Sequence, residues 1–265
     1  MPPGYKRKGA EGLLFCEGVR RMAGFLGRLF RKKEREEIVC TAVVPAAGSS
    51  SRMEGQDKLL LPLGDMPVLL HTLRALDCCP LIHEIIVVTR GDLVVPVGEL
   101  CREGAFSKVT KVVVGGATRT ESVLCGIREA RRDAGLIAIH DGARPLVDQQ
   151  VLEEVLLRAA QCGAAAPAVP VKDTIKQARD GVITGTPDRA ELYAVQTPQV
   201  FEASLIQGAL EKALADGEAL TDDCAAVERL GVPVALTRGS YGNIKITTPE
   251  DLAVAEALLD WGNSQ

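Results

Sequence analysis

Aromatic residues are scarce in this sequence, at 3% of 265 residues, so a packed core has to be built mainly from Val, Leu, Ile and Ala. Such a core is typical of a parallel sheet covered by Ala-rich helices. The sequence also lacks any apolar run of the roughly 18 residues that a membrane span needs. Its length fits one large domain, or one domain with an appendage. We therefore predict an α/β protein without a membrane span.

Cysteine pairing motifs are absent as well, because none of the eight cysteines forms a C-x-x-C pair. Several lie in apolar runs, where buried thiols are expected. A disulfide framework and a zinc site therefore have little support. We predict reduced thiols in a cytoplasmic protein.

Positive charge is not in excess, since the formal net charge is −4, and this argues against binding to nucleic acid. Residues 1–37 differ, with ten Lys or Arg against five Glu. Within them, Met22–Glu37 has a basic amphipathic pattern that could contact a membrane surface or a partner. The interpretation we favour is a disordered extension, or sequence upstream of a true start at Met22. We predict a poorly ordered or helical extension over 1–37 and one domain over 38–265.

Strand and helix patterns alternate from residue 38 onward. Apolar runs predict buried strands over Ile38–Pro45, Glu84–Thr89, Lys108–Val114, Leu136–His140 and Ala164–Val169. Helical patterns lie between and after the first four of these strands, over 67–76, 94–103, 119–132 and 148–161. This order predicts a doubly wound, mostly parallel sheet with right-handed crossovers.

The alternation breaks at an arm over 171–193. There, Thr174–Gln177 and Val182–Thr186 flank Asp180-Gly181, which is a hairpin signal. A protruding hairpin exposes its edges, so we predict a homodimer formed through the arm.

The remaining residues predict three helices and two strands. The helices are expected near 203–215, near 222–230 after an N-cap in Thr221-Asp222-Asp223, and from Pro249 with Thr248 as its cap. Strands are expected over Val232–Thr237 and Asn243–Ile246.

The loop after the first strand has the composition of a phosphate-binding turn. It reads Pro45-Ala46-Ala47-Gly48-Ser49-Ser50-Ser51-Arg52-Met53, and Lys58 follows. Small residues there let backbone N–H groups approach a triphosphate, and Arg52 and Lys58 add positive charge. The loop matches neither G-x-x-x-x-G-K-[ST] nor G-x-G-x-x-G. The alternative is a plain turn with two solvated cations.

Two further strand ends carry candidate site residues. Gly115-Gly116 follows the third strand, where a backbone could pass close to a flat base, although a plain turn before a helix is the alternative. Asp141 ends the fourth strand, where it could reach a magnesium ion on phosphate oxygens or simply cap a turn. We interpret the neighbouring His140 as a packing residue rather than a base.

Together with the loop, four other motifs resemble the 2-C-methyl-D-erythritol 4-phosphate cytidylyltransferase family over roughly residues 39–258. They are Gly115-Gly116-Ala117-Thr118-Arg119-Thr120-Glu121-Ser122-Val123, His140-Asp141-Gly142-Ala143-Arg144-Pro145, Pro170-Val171-Lys172-Asp173-Thr174-Ile175-Lys176, and Asn243-Ile244-Lys245-Ile246-Thr247 with Pro249-Glu250-Asp251. The resemblance implies a Rossmann-like nucleotidyltransferase fold, CTP and a sugar-alcohol phosphate as substrates, Mg²⁺ as cofactor and transfer of CMP with release of pyrophosphate.

The resemblance also implies a role for each matched residue. Arg52 and Lys58 would stabilise the transition state at the α-phosphate, and Lys172 and Lys245 would hold the acceptor. The substrate-binding residues would be Ala46, Ala47, Gly48, Gly116, Ser122, Asp141, Arg144 and Thr174. Of these, Asp141 is also the candidate metal ligand. The arm of a second subunit would complete the site.

Departures from the family pattern leave the acceptor open. Ser50 stands where the family commonly has glycine, Asp57-Lys58-Leu59 replaces a P-K-Q, and Lys172 replaces an arginine found in many members. A lysine cannot form the planar fork of an arginine. The alternatives are a cytidylyltransferase for ribitol 5-phosphate or another polyol phosphate, and a nucleotide-binding regulator without turnover.

Overall fold

The computed structural model describes residues 39–48 and 57–263. The predicted extension over 1–37 and the part of the phosphate loop that contains Arg52 lie outside the described residues. Within them the strands are β1 (Cys40–Pro45), β2 (Pro62–Leu63), β3 (Met66–Pro67), β4 (Glu84–Thr89), β5 (Val109–Val114), β6 (Leu136–Ile139), β7 (Ala164–Pro170), β8 (Gln177–Arg179), β9 (Val182–Gly185), β10 (Tyr193–Val195), β11 (Gln199–Glu202) and β12 (Ala235–Arg238). The helices are α1 (Val68–Asp77), α2 (Val94–Glu103), α3 (Arg119–Arg128), α4 (Gln149–Cys162), α5 (Ala203–Ala215), α6 (Asp223–Glu228) and α7 (Pro249–Asn263).

Eight of these strands form one central sheet, in the order β10-β7-β11-β6-β1-β4-β5, with β12 beside β7. Strand β1 pairs in parallel with β4 and β6, β4 with β5, and β7 with β12. Strand β11 is antiparallel to both β6 and β7, and β10 is antiparallel to β7. The mostly parallel sheet is thus confirmed.

Helices cover both faces of the sheet. Along β1, Ala42 and Val44 contribute to one apolar cluster and Val43 to the other, because successive side chains of a strand point to opposite faces. Helices α1, α2 and α4 pack into the first cluster, and α3, α5 and α6 into the second. Phe201 is the one aromatic side chain in the buried core of the described residues. The doubly wound arrangement agrees with the predicted order of strands and helices, and the aliphatic core agrees with the composition.

Helix α3 lies unusually close to the sheet. At Gly126, an added Cβ would lie 2.5 Å from Cγ1 of Val43, which is too close for a side chain. The helix begins with a capping box, in which Thr118 Oγ1 accepts from the Glu121 N–H and Glu121 accepts from the Thr118 N–H. The glycine and the cap bring the start of α3 to the edge of the sheet where β1 and β4 end.

The predicted hairpin is present as β8 and β9. Asp180 and Gly181 form its turn with φ of 50° and 77°, which matches the turn geometry that favours Asp-Gly. Its first strand begins at Gln177 rather than Thr174. The residues of both strands are exposed, apart from Gly185 at the end, which is half-buried.

Other segments also differ from the sequence predictions, and strands β10 and β11 were not predicted. Helix α3 ends at Arg128, because the next segment turns and the Arg131 N–H donates to Glu84 Oε2 at 2.9 Å. Strand β12 begins at Ala235 rather than Val232. The predicted strand over Asn243–Ile246 is wrong: its backbone forms no ladder, and the Ile246 N–H donates to the Ala143 carbonyl instead.

The cysteines of the described residues are all free thiols. Cys40, Cys79, Cys101 and Cys224 are buried, as predicted, whereas Cys78 is exposed. Burial raises the pKa of the Cys101 thiol to about 11, so this thiol stays protonated at neutral pH.

The last helix, α7, begins after Thr248, whose Oγ1 accepts from the Asp251 N–H at 3.4 Å. Near its end Trp261 is 66% exposed. Among residues 39–48 and 57–263, no helix combines the length and the apolar character needed to cross a membrane.

Candidate active site

A cavity of about 600 Å³ lies where β1, β4, β5 and β6 end. Parallel strands of an open α/β sheet present their carboxyl ends at one edge, which is where such sheets bind ligands. The predicted residues that line the cavity are Ala46, Ala47, Gly48, Lys58, Gly116, Ser122, Asp141 and Lys245. The structure therefore brings together residues that are almost 200 positions apart in the chain.

The backbone at Gly115-Gly116 forms one wall of this cavity. A Cβ at Gly115 would lie 2.6 Å from the Ser122 Oγ, and one at Gly116 would clash with Glu121. The Ser122 hydroxyl donates to the Thr118 carbonyl at 2.9 Å, which fixes the first turn of α3 against this wall. Only glycine allows a wall this close to the helix, and it leaves flat backbone facing the cavity.

Asp141 is the carboxylate around which the cationic side chains of the site gather. Its Oδ2 lies 2.9 Å from Lys245 Nζ and 3.5 Å from Arg144 Nε, and its Oδ1 lies 3.6 Å from Arg119 Nη2. Burial acts to raise the pKa of this carboxyl, but Lys245 and Arg119, with Arg144, outweigh burial and hold the pKa at about 2. Asp141 is therefore ionised at neutral pH, and it draws three cations to one point.

Arg119 was not singled out by the sequence analysis. Its Nη1 and Nη2 donate to the two carboxylate oxygens of Asp223 at 2.8 and 2.7 Å. Although burial opposes the charged form, Asp223 and Asp141 raise the pKa of Arg119 above its ordinary range. The neighbouring Asp222 is the N-cap of α6, within the predicted Thr221-Asp222-Asp223 segment but one residue later than a helix from 222 implies, and it accepts from the Ala225 N–H at 3.0 Å. Asp223 thus has a role beyond the predicted cap, because it holds an arginine of the cavity wall.

Lys245 reaches the cavity from a loop and not from the predicted strand. Buried amides hold this loop: the Asn243 side chain donates to the Thr197 carbonyl at 2.9 Å, and Gln196 donates to the Ser240 carbonyl at 2.7 Å. Arg144 Nη1 donates to the Asn243 carbonyl at 2.6 Å. Arg144 therefore lies behind the cavity, where it fixes the loop and contacts Asp141.

His140 is completely buried beneath the cavity. Its Nδ1 lies 3.1 Å from the Thr197 hydroxyl, and its Nε2 lies 3.2 Å from the Arg144 carbonyl oxygen. Burial lowers the pKa of His140 to about 4, so the ring is neutral at pH 7. This agrees with the interpretation of His140 as a packing residue.

Lys172 and Thr174 lie on the arm and do not line this cavity. The Lys172 ammonium sits 3.6 Å from the ring centroid of Tyr241, and Arg189 donates to the Lys172 carbonyl at 3.0 Å. Thr174 is exposed. The roles of Lys172 and Thr174 in binding the acceptor therefore stay predictions.

Asp141 is the one carboxylate that lines the cavity in the described part of the chain. Mg²⁺ is commonly held by one or two carboxylates together with substrate phosphates and water. A single carboxylate such as Asp141 is enough for such a site, but both of its oxygens already face cationic groups. The donor set fits a metal ion that arrives on the triphosphate better than an ion held by the protein alone.

Comparisons with known proteins agree on one family. A family model described as 2-C-methyl-D-erythritol 4-phosphate cytidylyltransferase matches residues 40–261. A curated protein of that name from Symbiobacterium thermophilum is 46% identical over 228 residues, which cover 84% of this chain and 94% of the relative. Another from Desulforamulus reducens is 48% identical over 227 residues, covering 82% of this chain and 94% of the relative.

Solved structures are similar to this chain as well. The 4-diphosphocytidyl-2C-methyl-D-erythritol synthase of Anaerococcus prevotii aligns with a TM-score of 0.76 and 31% identity, covering 84% of this chain and 97% of that one. The 2-C-methyl-D-erythritol 4-phosphate cytidylyltransferase of Thermus thermophilus aligns with a TM-score of 0.69 and 32% identity, covering 82% and 98%.

Proposed function

This chain belongs to the 2-C-methyl-D-erythritol 4-phosphate cytidylyltransferase family, and we propose that the cavity at the edge of its sheet is the active site. The enzyme transfers CMP from CTP to 2-C-methyl-D-erythritol 4-phosphate in isoprenoid precursor biosynthesis. The products are 4-diphosphocytidyl-2-C-methyl-D-erythritol and pyrophosphate. The observation that carries the site assignment is the ion-paired group of Lys245, Asp141 and Arg119 beside Lys58 in one cavity.

We propose that CTP binds along the glycine wall and the first strand end. The backbone at Gly116 and the Ser122 turn would hold the cytidine, and Ala46, Ala47 and Gly48 would lie along the nucleotide. The Ala46 N–H donates to the Val88 carbonyl, and the Thr89 hydroxyl donates to the Ala46 carbonyl at 3.2 Å. These bonds fix the strand end, so little backbone ordering is required when the nucleotide binds.

The reaction needs positioning and positive charge rather than a base. An oxygen of the acceptor phosphate is already anionic, so it can attack the α-phosphorus of CTP without losing a proton. The new bond joins that oxygen to the α-phosphorus, and the bond from the α-phosphorus to the bridging oxygen of the β-phosphate breaks as pyrophosphate leaves. Lys58 and Arg52 would stabilise the charge that develops at the α-phosphate, and Lys245 would hold the acceptor in line.

We propose Mg²⁺ as the cofactor, with Asp141 as its candidate protein contact. A divalent cation on the triphosphate neutralises charge and makes pyrophosphate a better leaving group. Lys245 and Arg119, the cations of the cavity lining beside Asp141, would perform the same electrostatic task from the protein side. Asp141 in turn keeps Lys245 extended into the cavity, at 2.9 Å from its carboxylate.

A homodimer formed through the arm over 171–193 is part of this proposal. Val182 and Ile183 on β9 are 67% and 62% exposed, and exposed apolar side chains on a hairpin favour contact with another protein surface. In such a dimer the arm of one subunit, with Lys172 and Thr174, would complete the acceptor site of the other beside Arg144. We place the enzyme in the cytoplasm, in line with the free thiols of the described residues.

The experiment that tests the function measures pyrophosphate release from CTP with a panel of acceptors. We expect turnover with 2-C-methyl-D-erythritol 4-phosphate and Mg²⁺. Turnover with ribitol 5-phosphate alone would identify that compound as the acceptor instead. No turnover with any polyol phosphate would favour a nucleotide-binding regulator. ATP, GTP and UTP serve as matched controls for the cytidine preference.

A further inference from the structure

Arg90 is a cation of the cavity wall that belongs to none of the motifs shared with the family. It directly follows β4, and it lines the cavity together with Thr89 and Gly91. Its side chain is 36% exposed. Its position beside the proposed nucleotide site raises the question of what its guanidinium does there.

The inner partner of Arg90 is a buried carboxylate. Arg90 Nη2 lies 3.3 Å from Asp57 Oδ2, and the Asp57 side chain is only 11% exposed. That oxygen is buried and has no hydrogen-bond donor among the described residues. A buried carboxylate oxygen without donors depends on a nearby cation, and Arg90 supplies that cation.

Asp57 in turn fixes the turn that carries Lys58. Its Oδ1 accepts from the Leu59 N–H at 3.1 Å, and its backbone carbonyl accepts from the Leu60 N–H at 2.9 Å. The Leu59 carbonyl then accepts from the Leu69 N–H at 3.0 Å, which ties the turn to α1. Lys58 therefore lines the cavity, with Leu59, from a turn that Asp57 closes with its side chain and its backbone.

We propose that Arg90 is a positioning residue for Lys58, because its ion pair with Asp57 fixes the turn from which Lys58 enters the cavity. This inference rests on the proposed role of Lys58 at the α-phosphate.

The test compares kcat and KM in matched variants. Arg90→Gln and Asp57→Asn should each lower kcat by roughly 10- to 100-fold, the effect expected when a catalytic group is displaced by about 1 Å. The KM for CTP should stay close to that of the parent enzyme. The double variant should be no worse than the worse single variant, because both changes break the same pair. Arg90→Lys keeps the charge and should recover most of the lost kcat.

Asp92→Asn is the matched control. Asp92 Oδ1 lies 3.3 Å from Arg90 Nε, but its side chain is 69% exposed and it does not line the cavity. This variant should keep the kcat of the parent. A near-normal kcat in Arg90→Gln, additive losses in the double variant, or a rise in the KM for CTP with kcat unchanged would each overturn the positioning role. The last result would indicate that Arg90 contacts the nucleotide directly.

A second measurement needs no turnover. In the nucleotide-free protein, amide hydrogen exchange at Leu59 and Leu60 should be faster in Arg90→Gln and unchanged in Asp92→Asn. Equal exchange in the parent and in Arg90→Gln would show that Arg90 does not hold the turn. If the parent enzyme released no pyrophosphate, the proposed function would fail, while the exchange comparison would still decide whether Arg90 holds the turn.

Discussion

The cavity and the arm differ in whether their side chains find partners within the same chain. The carboxylates of Asp141, in the cavity, and of Asp223, which pairs with the cavity-lining Arg119, are buried, and each faces a cation from the same chain. On the arm, Val182 and Ile183 are apolar and mostly exposed. The charged groups of the site are thus paired within one chain, whereas the arm exposes apolar side chains to solvent. Substitutions in the cavity should therefore change chemistry or folding, and substitutions on the arm should change assembly.

The largest effect is expected for Lys58→Ala in the cavity. One cation at about 4 Å from a developing charge contributes about 4 kcal/mol at an effective dielectric constant of 20, so kcat/KM should fall roughly 1,000-fold. Pyrophosphate release under saturating Mg²⁺ measures this. Lys212→Ala, which removes an exposed lysine of α5, should keep normal activity. A Lys58→Ala enzyme within tenfold of the parent would contradict the proposed role.

Breaking the ion pair between Arg119 and the buried Asp223 should lower the stability of the fold. Asp223→Ala leaves Arg119 without its bidentate partner, and we expect the free energy of unfolding to fall by roughly 3–4 kcal/mol. This is the lower part of the range for buried pairs, since part of Arg119 reaches solvent. Urea unfolding measures it, with Asp216→Ala in the exposed Lys212–Asp216 pair as the control, for which we expect a loss below about 1 kcal/mol. Equal losses in the two variants would remove the distinction between buried and exposed charge.

Acid should destabilise the floor of the cavity through His140. Its folded-state pKa of about 4 lies below the ordinary value of 6.5, so between these pH values the unfolded chain binds a proton that the folded chain does not. The contribution to stability is complete above about pH 6.5 and is lost as the pH falls to about 4, by on the order of 3 kcal/mol. Urea unfolding at pH 7.5 and pH 5 should show this loss in the parent protein. His140→Gln should show a smaller loss, and an identical loss in both proteins would refute the assignment.

A substitution on the arm should cause the smallest change in the stability of the protomer and a large change in assembly. Ile183→Asp places a charge on the exposed face of β9, so we expect monomers where the parent forms dimers. The free energy of unfolding of the protomer should change by less than about 0.5 kcal/mol, as is usual for surface positions. Light scattering after gel filtration measures the mass. Val254→Asp, on the exposed side of α7, should remain dimeric, and a dimeric Ile183→Asp protein would contradict assembly through the arm.

The alternating strands and helices were predictable because their signals are local, whereas β10 and β11 were not predicted. Strand β4 and helix α2 have the predicted bounds, and the Asp180-Gly181 hairpin was also found from a short motif. Each of these features depends on residues only a few positions apart. Apolar runs and turn residues are sufficient to locate such elements.

The charge network was predictable only in part, because its pairs are distant in sequence. Arg119 and Asp223 are 104 positions apart, and no local pattern links them; the only signal was that both lie within motifs. Asn243–Ile246 alternates like a strand, but buried polar contacts of Asn243 hold it as a loop. The acceptor role of Arg144 stays a prediction, and its support of this loop was not predicted.

The near absence of aromatic residues has a practical consequence for spectroscopy. The single tryptophan of the sequence, Trp261, is exposed near the end of α7. Its emission will therefore report on the solvent around that helix end and hardly on the core or the nucleotide. A tryptophan introduced at Phe201, the buried aromatic of the sheet, would give an optical probe of the core where the natural sequence has none.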